Sequence, residues 1–374
     1  MANVVVNEVS TKKELRTFIK LPWKIYKEYP NWVPPLIIDQ KSIFNIQKNP
    51  FFRHSKIQNF LAFKDGEAAG RISAVVDHNY NQFHNEKTAL FGFFEASDDK
   101  EVGRALFAAA EDWILEQKME HMLGPANPST NQIFGLLVDA FDLPPMALMP
   151  YNPPYYEDLF LHAGLKKAKD MYAYHMDETI PISDKIKRVT NIIRKKHNIT
   201  IRSADIKEFD REVELIKTVY NDAWTKNWGF VPFTDEEIEH LGKDIKLIAR
   251  PELILLAFVE DEIAAFCLSL PNVNQAFKHV KNGRLFPTGL FKLLWYIRKV
   301  NQLRVAIMGV RKKYRTMGID ALFYHDTWIR AYEYGYRDNV ELSWILEDNY
   351  PMLNTIERWG GIRYKTYRVY GKEL

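Results

Sequence analysis

Residues 303–349 read LRVAIMGVRKKYRTMGIDALFYHDTWIRAYEYGYRDNVELSWILEDN, and this stretch decides the fold. An apolar strand leads into a basic turn that closes on Arg315-Thr316-Met317-Gly318. An amphipathic helix follows, then a second strand and a helix start at Asn349. These are the periodicities and boundary residues of strand, helix, strand and helix in turn. The order suits a nucleotide-bearing acyl donor. The strand end holds the thioester, and the helix N-terminus after the glycine offers its uncommitted N–H groups to a pyrophosphate. Chemistry is therefore expected in the second half of the chain.

Outward from this stretch, the two halves share one grammar. Hydrophobic alternation predicts a strand at 4–9, a helix at 11–28, and a strand pair at 57–76 turning at Asp65-Gly66. A strand at 88–95, a helix at 98–117, a short strand at 121–123, a short helix after MPYNPPYY (149–156) and a closing strand pair at 166–176 complete the first half. The second half repeats the order, with strands at 200–203, 253–259 and 263–270, helices between 206 and 249, and a terminal strand at 364–370. The basic, helix-like segment 182–197 joins the halves. Asn152 followed by Gly164, and Asn349 followed by Gly360, form the best local echo, each reading as an Asn that opens a short helix ended by a glycine.

A chain of 374 residues exceeds what one hydrophobic core supports, so two domains are expected. With 47% hydrophobic and 26% charged residues it can bury enough apolar surface to fold throughout. A formal charge of +3 argues against a nucleic-acid binder, whose affinity rests on many phosphate contacts. The clusters Arg194-Lys195-Lys196 and Arg311-Lys312-Lys313 read as a solvated linker helix and a phosphate site. The single Cys267, in IAAFCLSL, reads as a core residue. The N-terminal stretch lacks a secretory pattern, and Glu260, Asp261 and Glu262 interrupt the longest apolar candidate for a membrane span. The expected location is cytoplasmic, with peripheral contact to the inner face of the membrane.

Strand, Arg-x-x-Gly turn, helix, strand, Asn-led helix, glycine and strand together resemble the GNAT acyltransferase superfamily. Its pyrophosphate-binding turn reads Gln/Arg-x-x-Gly-x-Gly/Ala, matched here by Arg315-Thr316-Met317-Gly318-Ile319-Asp320. The resemblance covers the second half well and the first in outline. It implies an α/β (α+β) fold of two tandem GNAT-like domains, each a mixed, mostly antiparallel sheet flanked by helices. Residues 1–180 form a degenerate domain on the acceptor side, 181–198 a linker helix, and 199–374 an acyl-CoA-binding domain with an inserted helix at 272–302. The family pattern implies that the backbone of Met308, Gly309 and Val310 aligns the pantetheine arm. Amides of Arg315, Thr316, Met317, Gly318, Ile319 and Asp320 would hold the pyrophosphate, with Asn349 near the cofactor. The implied donor is acetyl-CoA or a longer acyl-CoA, with no metal. The runs MPYNPPYY and ELSWILEDN are similar to a group that includes bacterial ceramide synthase-like proteins, which implies a small-molecule or lipid amine as acceptor, such as a long-chain base.

Three features depart from the pattern. Asp320 stands where the family prefers Gly or Ala, and a carboxylate 4 Å from a pyrophosphate costs up to ~4 kcal/mol at an effective dielectric of 20. The other reading is that it complements the helix dipole. Ile356 falls where many members place a proton-donating tyrosine. The insertion carries a helical stretch, 288–300, with Leu290, Leu293, Leu294 and Ile297 on one side. It reads as a helix packed on the surface, or as an apolar wall that meets a membrane through Lys292, Arg298 and Lys299.

Acyl transfer to an amine needs a proton acceptor and a stabilised leaving thiolate. Glu347, beside Asp348 just past the second strand, is the candidate base, with Glu341 on the strand itself as another. Tyr367 is the candidate proton donor, with Tyr370 beside it on the terminal strand. Helix-start and core-packing roles compete with each of these. In the first half Asp98 and Asp99 open the helix without an Arg-x-x-Gly turn, so that half is not expected to bind CoA; its loop 124–131 reads as an acceptor element or an ordinary turn. No His-Glu-x-x-His, Gly-x-Ser-x-Gly or Gly-x-x-x-x-Gly-Lys-Ser/Thr motif occurs, so metal and nucleotide-triphosphatase chemistry are not expected. Two other functions remain open: a non-catalytic binding protein on a duplicated acyltransferase fold, and a Fem-like aminoacyl transferase that takes its donor from aminoacyl-tRNA.

Overall fold

The computed structural model describes residues 4–176, 179 and 184–374. The chain divides into two units, each gathered from separate stretches. Unit 1 comprises Met1–Met171, Ala276–Trp295 and Lys365–Leu374, and unit 2 comprises Tyr172–Gln275 and Tyr296–Tyr364. A cut through 181–198 separates the halves in sequence. In the fold, the inserted segment and the last residues of the chain pack with unit 1, and residues 172–176 pack with unit 2. Residues 181–183 of the expected linker lie outside the described residues, and the helix Asp184–His197 follows them.

Within unit 1 the strands run Val4–Glu8, Ser55–Lys64, Glu67–Asp77, Thr88–Ala96 and His121–Gly124, closed by the end of Ile362–Glu373. All neighbours are antiparallel except Thr88–Ala96 against His121–Gly124. The hairpin turns where the sequence places it, because Asp65 and Gly66 adopt φ of 52° and 81°, the left-handed pair of a tight two-residue turn. Thr11 and Glu14 form a reciprocal cap for the helix Lys12–Lys20. The expected helix at 11–28 is broken by Pro22, whose ring cannot sit in a helix interior, into Lys12–Lys20, Pro22–Ile25 and a tighter turn Tyr26–Glu28. Helix Lys100–Glu116 lays Leu106, Phe107 and Ala110 on the sheet, where Phe94 stacks on Phe107 at 5.1 Å and Phe160 meets Phe107 edge-on at 5.2 Å. Each fully buried phenylalanine contributes about 1.5–3 kcal/mol.

Unit 2 repeats the pairing. Ile199–Ser203, Ile254–Val259, Glu262–Pro271 and Gln302–Val310 are antiparallel neighbours, and Gln302–Val310 runs parallel to Asn339–Leu346. Helix Ile319–Glu333 covers one face through Ile319, Leu322 and Phe323 against Leu303, Val305 and Leu342. Helix Phe209–Ala223 covers the other through Val219 against Leu256, Phe266 and Leu268. Cys267 lies in the first of these cores, and burial pushes its thiol up to about 11, as suits a packed rather than a reactive cysteine.

Other expectations change in detail. Residues 166–176 form one long strand, Lys166–Met176, because no turn residue interrupts their alternation. The inserted helix is Gly289–Tyr296, followed by a tighter turn Ile297–Lys299. It turns Leu294 outward with Phe291 and Trp295, and keeps Leu290 and Leu293 half-buried. The glycines of the local echo behave as read: Gly164 and Gly360 adopt φ of 86° and 90°, and Leu165 and Gly361 return hydrogen bonds to Phe160 and Ile356. The asparagines do not cap. Buried Asn152 spans the backbone of Leu137, accepting from its N–H at 2.8 Å and donating to its carbonyl at 3.0 Å. The Asn349 amide points to Met352 Sδ at 3.8 Å, and Pro351 sits in the first turn of Tyr350–Arg358.

Candidate active site

The parallel pair in unit 2 parts as it runs. Residues 302–305 pair with 339–342, yet both strands continue, to Val310 and Leu346. On its other edge Gln302–Val310 stays paired with Glu262–Pro271 to the end, apart from an irregularity between Leu268 and Ser269. Met308, Gly309 and Val310 therefore line an opening edge of the sheet. Gly309 has no room for a side chain, because a Cβ there would meet the Trp224 ring at 2.2 Å.

Beyond the strand, residues Lys312–Met317 form a tight helical turn that ends at Gly318, with φ 73°. Gly318 opens helix Ile319–Glu333 and, as a glycine, offers no capping side chain; the first-turn Asp320 carboxyl accepts from the Asp320 and Ala321 N–H groups instead. Helix starts in general attract anions such as a pyrophosphate. Ile193, on helix Asp184–His197, stands with Cδ1 3.0 Å from where a Cβ on Gly318 would be. Asp320 is half-buried in the first turn; burial pushes its carboxyl up, against the pull of the Ala321 and Asp320 N–H groups. Its interaction with its own helix start is the dipole-complementing arrangement.

The basic turn is held internally. Arg311 reaches Glu262 at 2.5 Å and lies 3.4 Å from Asp222, Lys313 meets Glu262 at 2.5 Å, and the Tyr314 hydroxyl donates to Glu262 at 2.9 Å. Those contacts draw the Glu262 carboxyl down to about 2, with the Lys313 hydrogen bond the largest cause. Arg315 donates to the carbonyl of Ala223 at 2.6 Å, tying the turn to the end of helix Phe209–Ala223. The side chain of Arg315 thus shapes the turn, while Thr316, Met317 and Gly318 supply its backbone.

Alternation along the parting strands separates two faces. Leu303, Val305, Val340 and Leu342 face the core under helix Ile319–Glu333, so Arg304, Glu341 and Ser343 face the other way. There they form a buried polar cluster. Arg304 Nε donates to Ser343 Oγ at 2.8 Å, Ser343 Oγ donates to Glu341 Oε1 at 2.5 Å, and the Tyr364 hydroxyl donates to Glu341 Oε2. Glu341 has no exposed surface, whereas Tyr364 is half-buried and links the cluster to its surroundings. Sequence reasoning weighed Glu341 but overlooked Tyr364, because nothing in a strand's alternation distinguishes one tyrosine from the next.

The other candidates are dispersed. Glu347 is half-buried at the turn after Asn339–Leu346, with Asp348 exposed beside it and Asn349 half-buried at the helix start. Tyr367 belongs to unit 1, fully buried and in register with Leu137; Tyr370, also in unit 1, donates to Glu157 at 2.5 Å. Ile356 is core, packed so that a Cβ on Gly361 would meet it at 2.4 Å.

Unit 1 carries the same parting pair, filled by its own chain. Residues 88–90 pair with 121–123, and beyond them Asn127 enters: its Oδ1 accepts from Phe93 N–H at 2.5 Å, and a Cβ on Gly92 would meet the Ala126 carbonyl at 1.8 Å. The helix start is closed as well, because Asp99 accepts from the N–H groups of Glu101 and Val102 at 2.9 and 3.4 Å. Among the described residues, no group of His, Cys, Asp or Glu is arranged to hold a metal ion.

No family model matches the chain. It is 38% identical over 386 residues to "Bacterial ceramide synthase" of Caulobacter vibrioides, covering all of this chain and 98% of that one. It is 36% identical over 376 residues to "Protein YghO" of Escherichia coli, covering 99% and 95%. Among solved structures, a tandem GNAT protein from the clavulanic acid biosynthesis pathway superposes with a TM-score of 0.58 at 10% identity, covering 99% of this chain and 98% of its own. A GCN5-related N-acetyltransferase from Sphaerobacter thermophilus gives 0.53 at 15% identity, covering 99% and 95%. These likenesses agree on a tandem GNAT fold.

Proposed function

The chain belongs to the family of tandem GNAT proteins that includes the bacterial ceramide synthase of Caulobacter vibrioides, and from that premise we propose that it transfers an acyl group from acyl-CoA to an amine, with a long-chain base as the acceptor class. One observation carries the reading. The parallel strands of unit 2 part beside a helix that starts at a left-handed glycine, Gly318, whereas in unit 1 Asn127 enters the matching gap and Asp99 caps the helix start.

In this reading the backbone of Met308, Gly309 and Val310 aligns the pantetheine arm, and the amides of residues 315–320 take the pyrophosphate. Asn349 lies at the neighbouring helix start. The amine nitrogen attacks the thioester carbonyl carbon, the carbon–sulfur bond breaks, and CoA departs as a thiolate. Glu347 accepts the proton that the amine loses. Tyr364, in place of enclosed Tyr367, gives its proton to the thiolate and regains one from solvent. Glu341, Ser343 and Arg304 position the Tyr364 hydroxyl through their hydrogen bonds. Among the described residues no helix is long and apolar enough to cross a membrane, so a lipid acceptor would be met at a surface.

Thermal-shift titration with CoA, acetyl-CoA and palmitoyl-CoA tests the donor site, since a ligand of the folded state raises the melting temperature with concentration above its dissociation constant. Stabilisation by all three, strongest with the long chain, is the expected result. No shift with any thioester would overturn the reading. Release of free thiol that depends on a long-chain amine then separates an enzyme from a binding protein. Pairing of Arg311 and Lys313 with Glu262 weighs against the aminoacyl-tRNA reading, which calls for an open basic surface.

A further inference from the structure

The segment Ala276–Trp295 belongs to unit 1 and is held firmly there. Trp23 Nε1 donates to the carbonyl of Lys281 at 2.9 Å, and Ile37 N–H donates to the carbonyl of Gly283 at 2.8 Å. Gly283 is pressed so closely that a Cβ would meet the Trp23 ring at 2.5 Å. Gly289 is buried at the start of helix Gly289–Tyr296, with Leu290 and Leu293 half-buried on the inner side. The opposite side presents Phe291, Leu294 and Trp295, at spacings of three and four residues, so they share one face. These are 74%, 54% and 63% exposed, and Phe286 just before the helix is 74% exposed. Large apolar side chains grouped in this way mark a surface that something covers.

The charges around the patch say what covers it. Lys278, Lys281, Arg284 and Lys292 are exposed on the same segment, and from residue 263 to residue 319 the chain contains no Asp or Glu. Aromatic and aliphatic side chains among cations, on a segment with no acid of its own, complement an anionic bilayer surface; the one acid on the neighbouring helix Ile37–Ile43 is Asp39. The rings enter the headgroup and acyl boundary while the cations meet lipid phosphates. We propose that Phe286, Phe291, Leu294 and Trp295, with the cations beside them, dock the protein on a membrane of anionic phospholipid. This inference stands apart from the acyl-transfer reading, because it concerns where the protein sits and not what it transfers.

The full chain is pelleted with vesicles of phosphatidylcholine alone, or of phosphatidylcholine mixed with phosphatidylglycerol. Binding to the mixed vesicles that weakens with added salt is the expected result. Phe291→Ser and Leu294→Ser should each lower vesicle affinity about tenfold, the order that follows from withholding one apolar side chain from the interface. Both side chains stand in solvent, so the melting temperature of the free protein should hold, and its thermal response to CoA should also hold, which reads the donor site separately. The proposal is overturned if wild type pellets with neither vesicle, or if wild type and a protein carrying both Phe291→Ser and Leu294→Ser pellet equally. A dimer in solution that the same substitutions dissolve would also overturn it, since the face would then be occupied by a second copy.

Discussion

The hydroxyl of Tyr364 donates to the carboxylate of Glu341, a side chain with no exposed surface. Arg304 lies 3.8 Å from the same carboxylate, so the buried charge is paired as well as hydrogen-bonded. Tyr364→Phe keeps that pairing and removes one hydroxyl. If Tyr364 protonates the thiolate, kcat should fall about 10²–10⁴-fold with little change in KM for the donor. Steady-state kinetics checks this, and an unchanged kcat would leave Tyr364 a packing residue. Glu341→Ala should be costlier to the fold, by about 3–5 kcal/mol in denaturant unfolding, because Arg304 is then buried without its partner. Glu341→Gln keeps an acceptor for the tyrosine and should recover part of both losses.

Gly318 illustrates how close the donor site is to its own scaffold. Its left-handed backbone suits glycine, and Ile193 stands 3.0 Å from the position of a missing Cβ. Gly318→Ala should therefore lower stability by about 1–2 kcal/mol through backbone strain. Gly318→Glu adds a charge at the helix start and should abolish the thermal shift with CoA altogether. Isothermal titration of both variants separates the effects, since a residual CoA site in Gly318→Glu would place donor binding elsewhere.

In unit 1 the chain itself fills the gap between its parallel strands. Phe93 adopts φ 47° and donates its N–H to Asn127 Oδ1, so the side chain of Asn127 satisfies a backbone group at the parted edge. Asn127→Ala leaves that N–H unpaired and should cost about 1–3 kcal/mol by denaturant unfolding. Asp99→Ala should cost about 0.5–2 kcal/mol as a lost helix cap. Neither should change the thermal shift with CoA, because both residues belong to unit 1 and the proposed donor site is built from unit 2.

Much of this architecture was legible in the chain. Asp65-Gly66 announces its hairpin, and the glycine after the basic turn announces the helix start, because left-handed backbone at both places favours particular residue types. What stayed hidden depends on partners distant in sequence. Asn152 looks like a helix cap until its amide is seen across the backbone of Leu137. Arg315 is expected to lend its backbone amide, and nothing local announces that its side chain ties the turn to the Ala223 carbonyl. Tyr364 and Tyr367 look alike on one strand; one meets a buried carboxylate and the other is enclosed in a core, a distinction made by neighbours that no local period encodes. The gathering of the last residues into unit 1 is equally non-local, since a terminal strand pairs by edge availability and not by its own composition.

Glu262 gives the basic turn a dependence on pH. Lys313, Tyr314 and Arg311 bond its carboxylate and lower its pKa from the ordinary 4.5 to about 2. A carboxyl depressed in the folded state binds fewer protons there than in the unfolded chain, so stability rises with pH across the interval between the two values. The contribution is fully present above about 4.5 and is lost as pH falls through about 2. Glu262→Gln removes this ionisation while keeping the side chain's size. Its melting temperature should lie below that of wild type at neutral pH, and the gap should narrow as pH falls from about 4.5 towards about 2. Because Glu262 is on the surface, added salt should narrow the gap as well. A gap that stays constant with both pH and salt would mean that the basic turn is held by the Ala223–Arg315 bond and its backbone, with Glu262 merely adjacent.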